Sequence, residues 1–118
     1  HPEWLAPVHS YTALTVQPPL PARAAKALGK ETVDSYHAEE AQKVLTPVHQ
    51  FLEKHHVNAQ CESRVGHIAE TIAQLADAGG YDLLVMGTRG NGALAKLVMG
   101  SVATQVLAQS QVPVLLIR

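Results

Sequence analysis

A short apolar segment followed directly by clustered glycines constrains the fold of this chain more than any other part of its sequence. Residues 83–86 are typical of a buried strand, and glycines follow at positions 87, 90 and 92. Glycine beyond a strand marks a sharp turn or a close approach of backbone to ligand. Gly100 and Ser101 then precede an apolar-periodic segment, which predicts a helix whose free N–H groups and hydroxyl suit a phosphate.

The composition indicates a globular protein, and we treat residues 1–118 as a single domain. Of the 118 residues, 47% are hydrophobic and 16% are charged. The formal net charge of −1 and the aromatic content of 4% argue against a nucleic-acid partner. Cys61 is the single cysteine, so a disulfide framework is excluded and a reducing, cytoplasmic location is expected. No apolar run approaches the roughly 18 residues that span a bilayer, so no membrane partner is expected.

Strands and helices are predicted to alternate along the chain. Strands are expected at 11–16, 59–65, 82–86 and 112–117, and helices at 31–56, 67–78 and 101–110. Residues 20–30 are interpreted as a loop, and Pro47 is expected to kink or divide the first helix. This alternation predicts an α/β fold: a doubly wound, mostly parallel sheet in a three-layer α/β/α, Rossmann-like arrangement.

Apolar periodicity predicts which helical side chains face inward. In the first helix they form one stripe, comprising Val33, Tyr36, Ala41, Val44, Leu45, Val48 and Leu52. In the second helix the predicted inward residues are Ile68, Ile72 and Leu75, and Gly79–Gly80 is expected to end that helix.

Two common phosphate motifs do not account for the glycine loop. Gly87 and Gly92 have the spacing of a P-loop, but the lysine and hydroxyl residue that should follow are replaced by Ala93 and Leu94. The dinucleotide fingerprint is matched from Gly90 onward, but it requires an acidic residue about 20 positions later. Because no Asp or Glu follows Asp82, that interpretation is weak.

A third pattern fits at every position: Gly87-x-x-Gly90, nine residues, then Gly100-Ser101. On these residues the chain resembles the universal stress protein family, specifically its ATP-binding branch. The resemblance extends from residue 11 to residue 118 and is most specific at 82–102 and 112–117. It implies a fold like that of the adenine nucleotide alpha-hydrolases.

The resemblance also implies a nucleotide site. Val16 would read the adenine edge through its main chain, Met86 and Gly87 would lie by the ribose and first phosphate, and Gly90 would admit the phosphates. The outer phosphates would meet Gly100, Ser101 and Val102, and Arg89 would add positive charge. The implied cofactor is ATP, with any Mg²⁺ held mainly by the phosphates. No catalytic residue and no protein metal site is expected.

The chain departs from the family pattern at its beginning. Family members start with a strand that ends in Asp-Gly-Ser-like residues, and this chain has no such segment before residue 11. That strand would lie centrally, between strands 11–16 and 82–86. We therefore expect the first central strand to be missing here and the natural chain to carry roughly 30–40 more N-terminal residues.

Three functions remain open. The first is a nucleotide-responsive stress-resistance module that acts by ordering of the 87–101 loop, by dimerisation and through partners. The second is an enzyme of the same fold, with at most slow ATP hydrolysis, because no carboxylate follows Asp82. The third is a nucleotide-independent interaction module, a homodimer through the apolar edge strand 112–117.

Several residues carry a structural interpretation beside a functional one. Glycines after a strand also form simple turns, and Ser101 also suits a plain helix cap. His55 and His56 are interpreted as a solvated helix end, because adjacent helical residues do not face each other. Cys61 is interpreted as an inert strand residue, since no base is near it in sequence. His67 is interpreted as structural, and Arg89 and Lys96 also suit surface charges.

Overall fold

The protein alternates parallel strands with helices. The computed structural model describes residues 9–87 and 101–117. The elements in chain order are β1 Tyr11–Gln17, α1 Ala22–Leu28, α2 Lys30–Lys54, β2 Ala59–Val65, α3 Ile68–Ala78, β3 Leu84–Gly87, α4 Ser101–Gln109 and β4 Val114–Ile117. The predicted strands and the three predicted helices are all present, with ends displaced by one or two residues.

All described strand pairing is parallel. β1 pairs with β2 from Tyr11↔Ala59 to Gln17↔Val65. β3 pairs with β4 from Leu84↔Val114 onward. The predicted parallel pairing is confirmed, and among the described residues it forms two two-stranded sheets rather than one continuous sheet. The expectation of a further central strand upstream stays a prediction.

The chain divides into two compact units, with the boundary after Val65. In the first unit, α2 packs on β1 and β2, and α1 packs on α2. The predicted loop at 20–30 is wrong, because α1 occupies most of it. Its sequence ARAAKAL is rich in alanine, the strongest helix former, and the prolines all precede its first turn. Gly29 separates α1 from α2 with φ of +86°, a conformation that favours glycine.

The long helix α2 is not divided at Pro47, which lies inside it. The predicted apolar stripe is only partly correct. Ala41 is buried, as is His37 beside it on the same face, whereas Tyr36, Val44 and Val48 are exposed. Among the described residues α2 packs on β1, β2 and α1, and only its face at His37 and Ala41 is buried.

In the second unit, α3 packs against α4 through small side chains. The buried residues are Ala69, Ala73 and Ala76 on α3 and Ala103 and Val106 on α4. The predicted inward residues of α3 are half-buried beside this alanine row rather than at its centre. As predicted, α3 ends at Gly79–Gly80: Gly80 has φ of +69°, and the Tyr81 N–H donates to the Ala76 carbonyl at 3.3 Å.

Candidate functional site

The predicted phosphate-binding residues lie at the end of one strand and the start of one helix, both in the second unit. Met86 and Gly87 are the last two residues of β3, and Met86 is half-buried. Ser101 is the first residue of α4 and is exposed, and Val102 behind it is half-buried. Arg89, Gly90 and Gly100 lie outside the described residues, so their predicted roles stay predictions.

That the N–H groups at the start of α4 are free to bind an anion stays a prediction, because residues 88–100 before it lie outside the described residues. The first four N–H groups of an α-helix have no partner within the helix, and the helix dipole places partial positive charge there. Val106 is fully buried and Ala103 is 2% exposed, so both anchor α4 within its unit.

Val16, the predicted adenine-reading residue, lies in the first unit near the carboxyl end of β1. It is half-buried and pairs in register with Arg64 of β2. The next residue, Gln17, ends the strand and makes two side-chain hydrogen bonds to His37 of α2. Gln17 Nε2 donates to the His37 carbonyl at 2.7 Å, and Gln17 Oε1 lies 3.0 Å from His37 Nδ1.

The sequence analysis missed the Gln17–His37 pair, although one signal of it was present. His37 lies four residues before Ala41, at a position that the helical period turns toward the sheet. A polar residue at such a position needs a partner, and Gln17 is the last polar residue of β1.

Cys61 has a base near it in space, although none is near it in sequence. Its Sγ lies 4.0 Å from His49 Nδ1, and His49 Nε2 lies 3.5 Å from Glu53 Oε2. Cys61 is exposed on β2, and the contact forms because α2 packs on that strand. His49 and Glu53 are one helical turn apart, the spacing at which side chains meet.

The remaining histidines that the sequence singles out have structural settings. His55 and His56 are exposed at the end of α2, and the His55 ring lies 4.5 Å from that of Phe51. His67 precedes α3, and its carbonyl accepts a hydrogen bond from the Thr71 N–H at 2.8 Å. Within residues 9–87 and 101–117, no group of three or more His, Cys, Asp or Glu is arranged to hold a metal ion.

One lysine on α2 has a perturbed pKa. The pKa of Lys43 lies above its usual value because Glu40 accepts its hydrogen bond at 3.0 Å and adds an attractive charge. Both side chains are on the solvent side of the helix, where such a pair contributes little to stability. In the part of the chain that the structure describes, no helix combines the length and apolar character needed to cross a bilayer.

Comparison with known proteins places this chain in a family. The family model described as the universal stress protein family matches residues 6–118. Universal stress protein MJ0531 of Methanocaldococcus jannaschii is 33% identical over 88 residues, which are 75% of this chain and 52% of that relative. The chain therefore spans about half the length of that curated relative.

Solved structures share the fold. The universal stress protein UspA from Lactobacillus plantarum has a TM-score of 0.73 and 25% identity, with 91% of this chain and 76% of that chain covered. A universal stress protein in complex with cAMP has a TM-score of 0.68 and 21% identity, with 99% and 82% covered. These likenesses confirm the predicted Rossmann-like α/β fold, and the extent of the family match leads to one conclusion. The chain belongs to the universal stress protein family.

Proposed function

We propose that this chain binds ATP or a related adenine nucleotide and that nucleotide occupancy controls its interactions with partners in a stress response. The observation that carries the proposal is the placement of the glycine pattern. Gly87 is the last residue of a parallel strand and Ser101 is the first residue of a helix, which supports the proposal because phosphate sites often lie between a strand end and a helix start. A structural relative was solved with cAMP, an adenine nucleotide.

In this proposal each predicted residue has the role that the family resemblance implies. The main chain at Val16 reads the adenine edge, and Met86 and Gly87 lie by the ribose and first phosphate. Gly90 admits the phosphates, and the N–H groups from Gly100 to Val102 together with the Ser101 hydroxyl bind the outer phosphates. Arg89 adds a positive charge, and Mg²⁺ is held mainly by the phosphates themselves.

The chain acts by binding rather than by catalysis in this proposal. Hydrolysis needs a group that activates water or holds a metal beside the phosphates, and carboxylates are the usual choice. Asp82 is the last acidic residue of the sequence, so the glycine loop and everything after it lack a carboxylate side chain. We expect at most slow hydrolysis, with ordering of the 87–101 segment by phosphate contacts as the signal.

A second candidate function is assembly without nucleotide, through the last strand. Among the described strands β4 pairs with β3 alone, which leaves its other edge open. Leu115 on β4 is 43% exposed, so an apolar side chain accompanies the open edge. Such an edge suits pairing with a second copy of the chain, which gives a homodimer.

The test has two parts. One sample of the purified chain is denatured, and any nucleotide that copurifies is extracted and identified. A second, folded sample is then titrated with ATP by calorimetry. Gly100→Val is expected to weaken ATP binding by more than about tenfold, because its side chain blocks the phosphate approach. Ala108→Val, an exposed position near the other end of α4, is the matched control and should leave affinity unchanged.

Each candidate function has its own outcome in this experiment. Heat on titration that disappears in Gly100→Val supports the nucleotide site. If no nucleotide copurifies and titration gives no heat, the nucleotide site is excluded. Nucleotide-independent assembly then remains, and sedimentation measures it directly. Equal affinity of Gly100→Val and the unaltered chain would show that ATP binds elsewhere.

A further inference from the structure

The Gln17–His37 pair is a two-bond link between the carboxyl end of β1 and the first half of α2. His37 is 9% exposed and is the one buried polar or charged residue among those the structure describes. Burying a polar side chain costs free energy unless its hydrogen bonds are made. Both bonds lie within hydrogen-bond distance, at 2.7 and 3.0 Å, so they offset the cost of burying the His37 side chain.

The chemistry of the two side chains fixes how they are oriented. The His37 carbonyl only accepts, so the Gln17 amide must turn its Nε2 toward it and its Oε1 toward the ring. Because Oε1 also only accepts, His37 Nδ1 must carry the hydrogen that it donates. The pair is therefore a single cooperative arrangement, in which each side chain sets the orientation of the other.

The Gln17–His37 link holds the end of β1, because Gln17 is the last residue of that strand. Gln17 is followed by Pro18 and Pro19, which have no N–H to continue the strand ladder. On one side, β1 is held by β2 through the pairs Val16↔Arg64 and Gln17↔Val65. The Gln17 side chain adds a second anchor, to α2, at the point where the backbone of β1 leaves the strand.

We propose that Gln17 and His37 are positioning residues that set base selectivity by holding the main chain at Val16. This inference rests on the proposed function, in which that main chain reads the adenine edge. Reading a base edge by backbone groups requires them to stay in hydrogen-bonding geometry, within a few tenths of an ångström. Neither side chain touches the nucleotide, and both act through Val16.

The test separates the base from the phosphates. Binding of ATP, GTP and inorganic tripolyphosphate is measured by calorimetry on the 118-residue chain and on Gln17→Met, which keeps the side-chain length and removes both bonds. We expect ATP affinity to fall by about tenfold, with the ATP-to-GTP ratio falling equally. Tripolyphosphate affinity should stay within about twofold, because it uses only the phosphate residues.

A control and a second variant keep the test decisive. Lys43→Met breaks the exposed pair with Glu40 on the same helix and should leave the ATP-to-GTP ratio unchanged. If Gln17→Met does not fold by circular dichroism, His37→Leu decides, since it keeps the bond to the backbone carbonyl and has no side-chain group that can bond Gln17 Oε1. We expect the ATP-to-GTP affinity ratio of this second variant to fall about threefold.

The outcomes distinguish this inference from the function on which it rests. If the unaltered chain binds neither ATP nor tripolyphosphate, the proposed function is wrong and the inference falls with it. If the unaltered chain prefers ATP and the folded variants keep that preference, only the positioning role is wrong. A parallel loss of ATP and tripolyphosphate affinity would show a general structural role and would also overturn it.

Discussion

Asp77 accepts a hydrogen bond from the backbone N–H of Gln111 at 3.0 Å, which ties the end of α3 to the turn before β4. The Ser110 hydroxyl lies 3.4 Å from the same carboxylate oxygen, and the Val112 N–H donates to that hydroxyl at 3.1 Å. One carboxylate therefore organises the turn through which α4 leads into the last strand.

Replacing Asp77 with alanine should lower the free energy of unfolding by about 0.5–1.5 kcal/mol, the net value of a typical hydrogen bond at an accessible position. Urea denaturation measures the change. Gln74→Ala, three residues earlier on α3, removes only an exposed contact with Glu70 and should cost less than about 0.5 kcal/mol. Equal effects of the two substitutions would show that the carboxylate does not anchor the turn.

Val106 offers a second test, of the packing between α3 and α4. Its side chain is fully buried, whereas its neighbour Leu107 is 44% exposed. Val106→Ala should destabilise the protein by about 2 kcal/mol, from lost apolar burial and the cavity left behind. Leu107→Ala removes a larger side chain, yet it should cost less. The reverse order in denaturant midpoints would contradict the assignment of Val106 to the core.

Pro47 tests the long helix. It lies inside α2, where it lacks the N–H that would bond one turn back, and it is exposed among the described residues. Pro47→Ala should stabilise the protein by about 1–2 kcal/mol, after allowance for the greater freedom of the unfolded chain. Gln50→Ala, exposed on the same helix, should change stability by less than about 0.5 kcal/mol. Destabilisation by Pro47→Ala would show that the proline serves a contact outside the described residues.

The sequence predicted the order of the elements well because its periods and stop signals are local. The strand at 59–65 and the helix end at Gly79–Gly80 are where residue type alone placed them. It failed at α1, where prolines suggested a loop and the alanines that follow them formed a helix. The helix propensity of the alanines decided the local structure there, and the prolines set only where the helix begins.

Long-range relationships were the ones that escaped prediction. Gln17 and His37 are 20 residues apart in sequence, and Cys61 and His49 are 12 apart. Each contact forms because a helix packs on a strand, and local sequence patterns do not show that packing. The buried alanine row of α3 was missed for a related reason. Periodicity marks a face by its largest apolar residues, whereas close packing between two helices is set by the smallest.

For the candidate site, the structure supplies the context of Met86, Gly87, Ser101 and Val102, and their roles toward a nucleotide stay predictions.

Ser101 provides a substitution whose effects on stability and on binding should have opposite signs. A carboxylate at the start of a helix interacts favourably with the dipole, so Ser101→Asp should stabilise the protein by about 0.3–1 kcal/mol. The same negative charge would repel the outer phosphates and remove the hydroxyl, so ATP affinity should fall more than tenfold, a change of about 1.4 kcal/mol or more.

The matched control for this substitution is Gln109→Asp, at the last residue of α4, where a carboxylate opposes the dipole. That variant should be slightly destabilised and should keep its ATP affinity, because it is distant along the helix from the proposed phosphate site. Thermal melting without nucleotide and calorimetry with ATP give the two readouts. A Ser101→Asp protein that is more stable and still binds ATP as tightly would place the outer phosphates away from the start of α4.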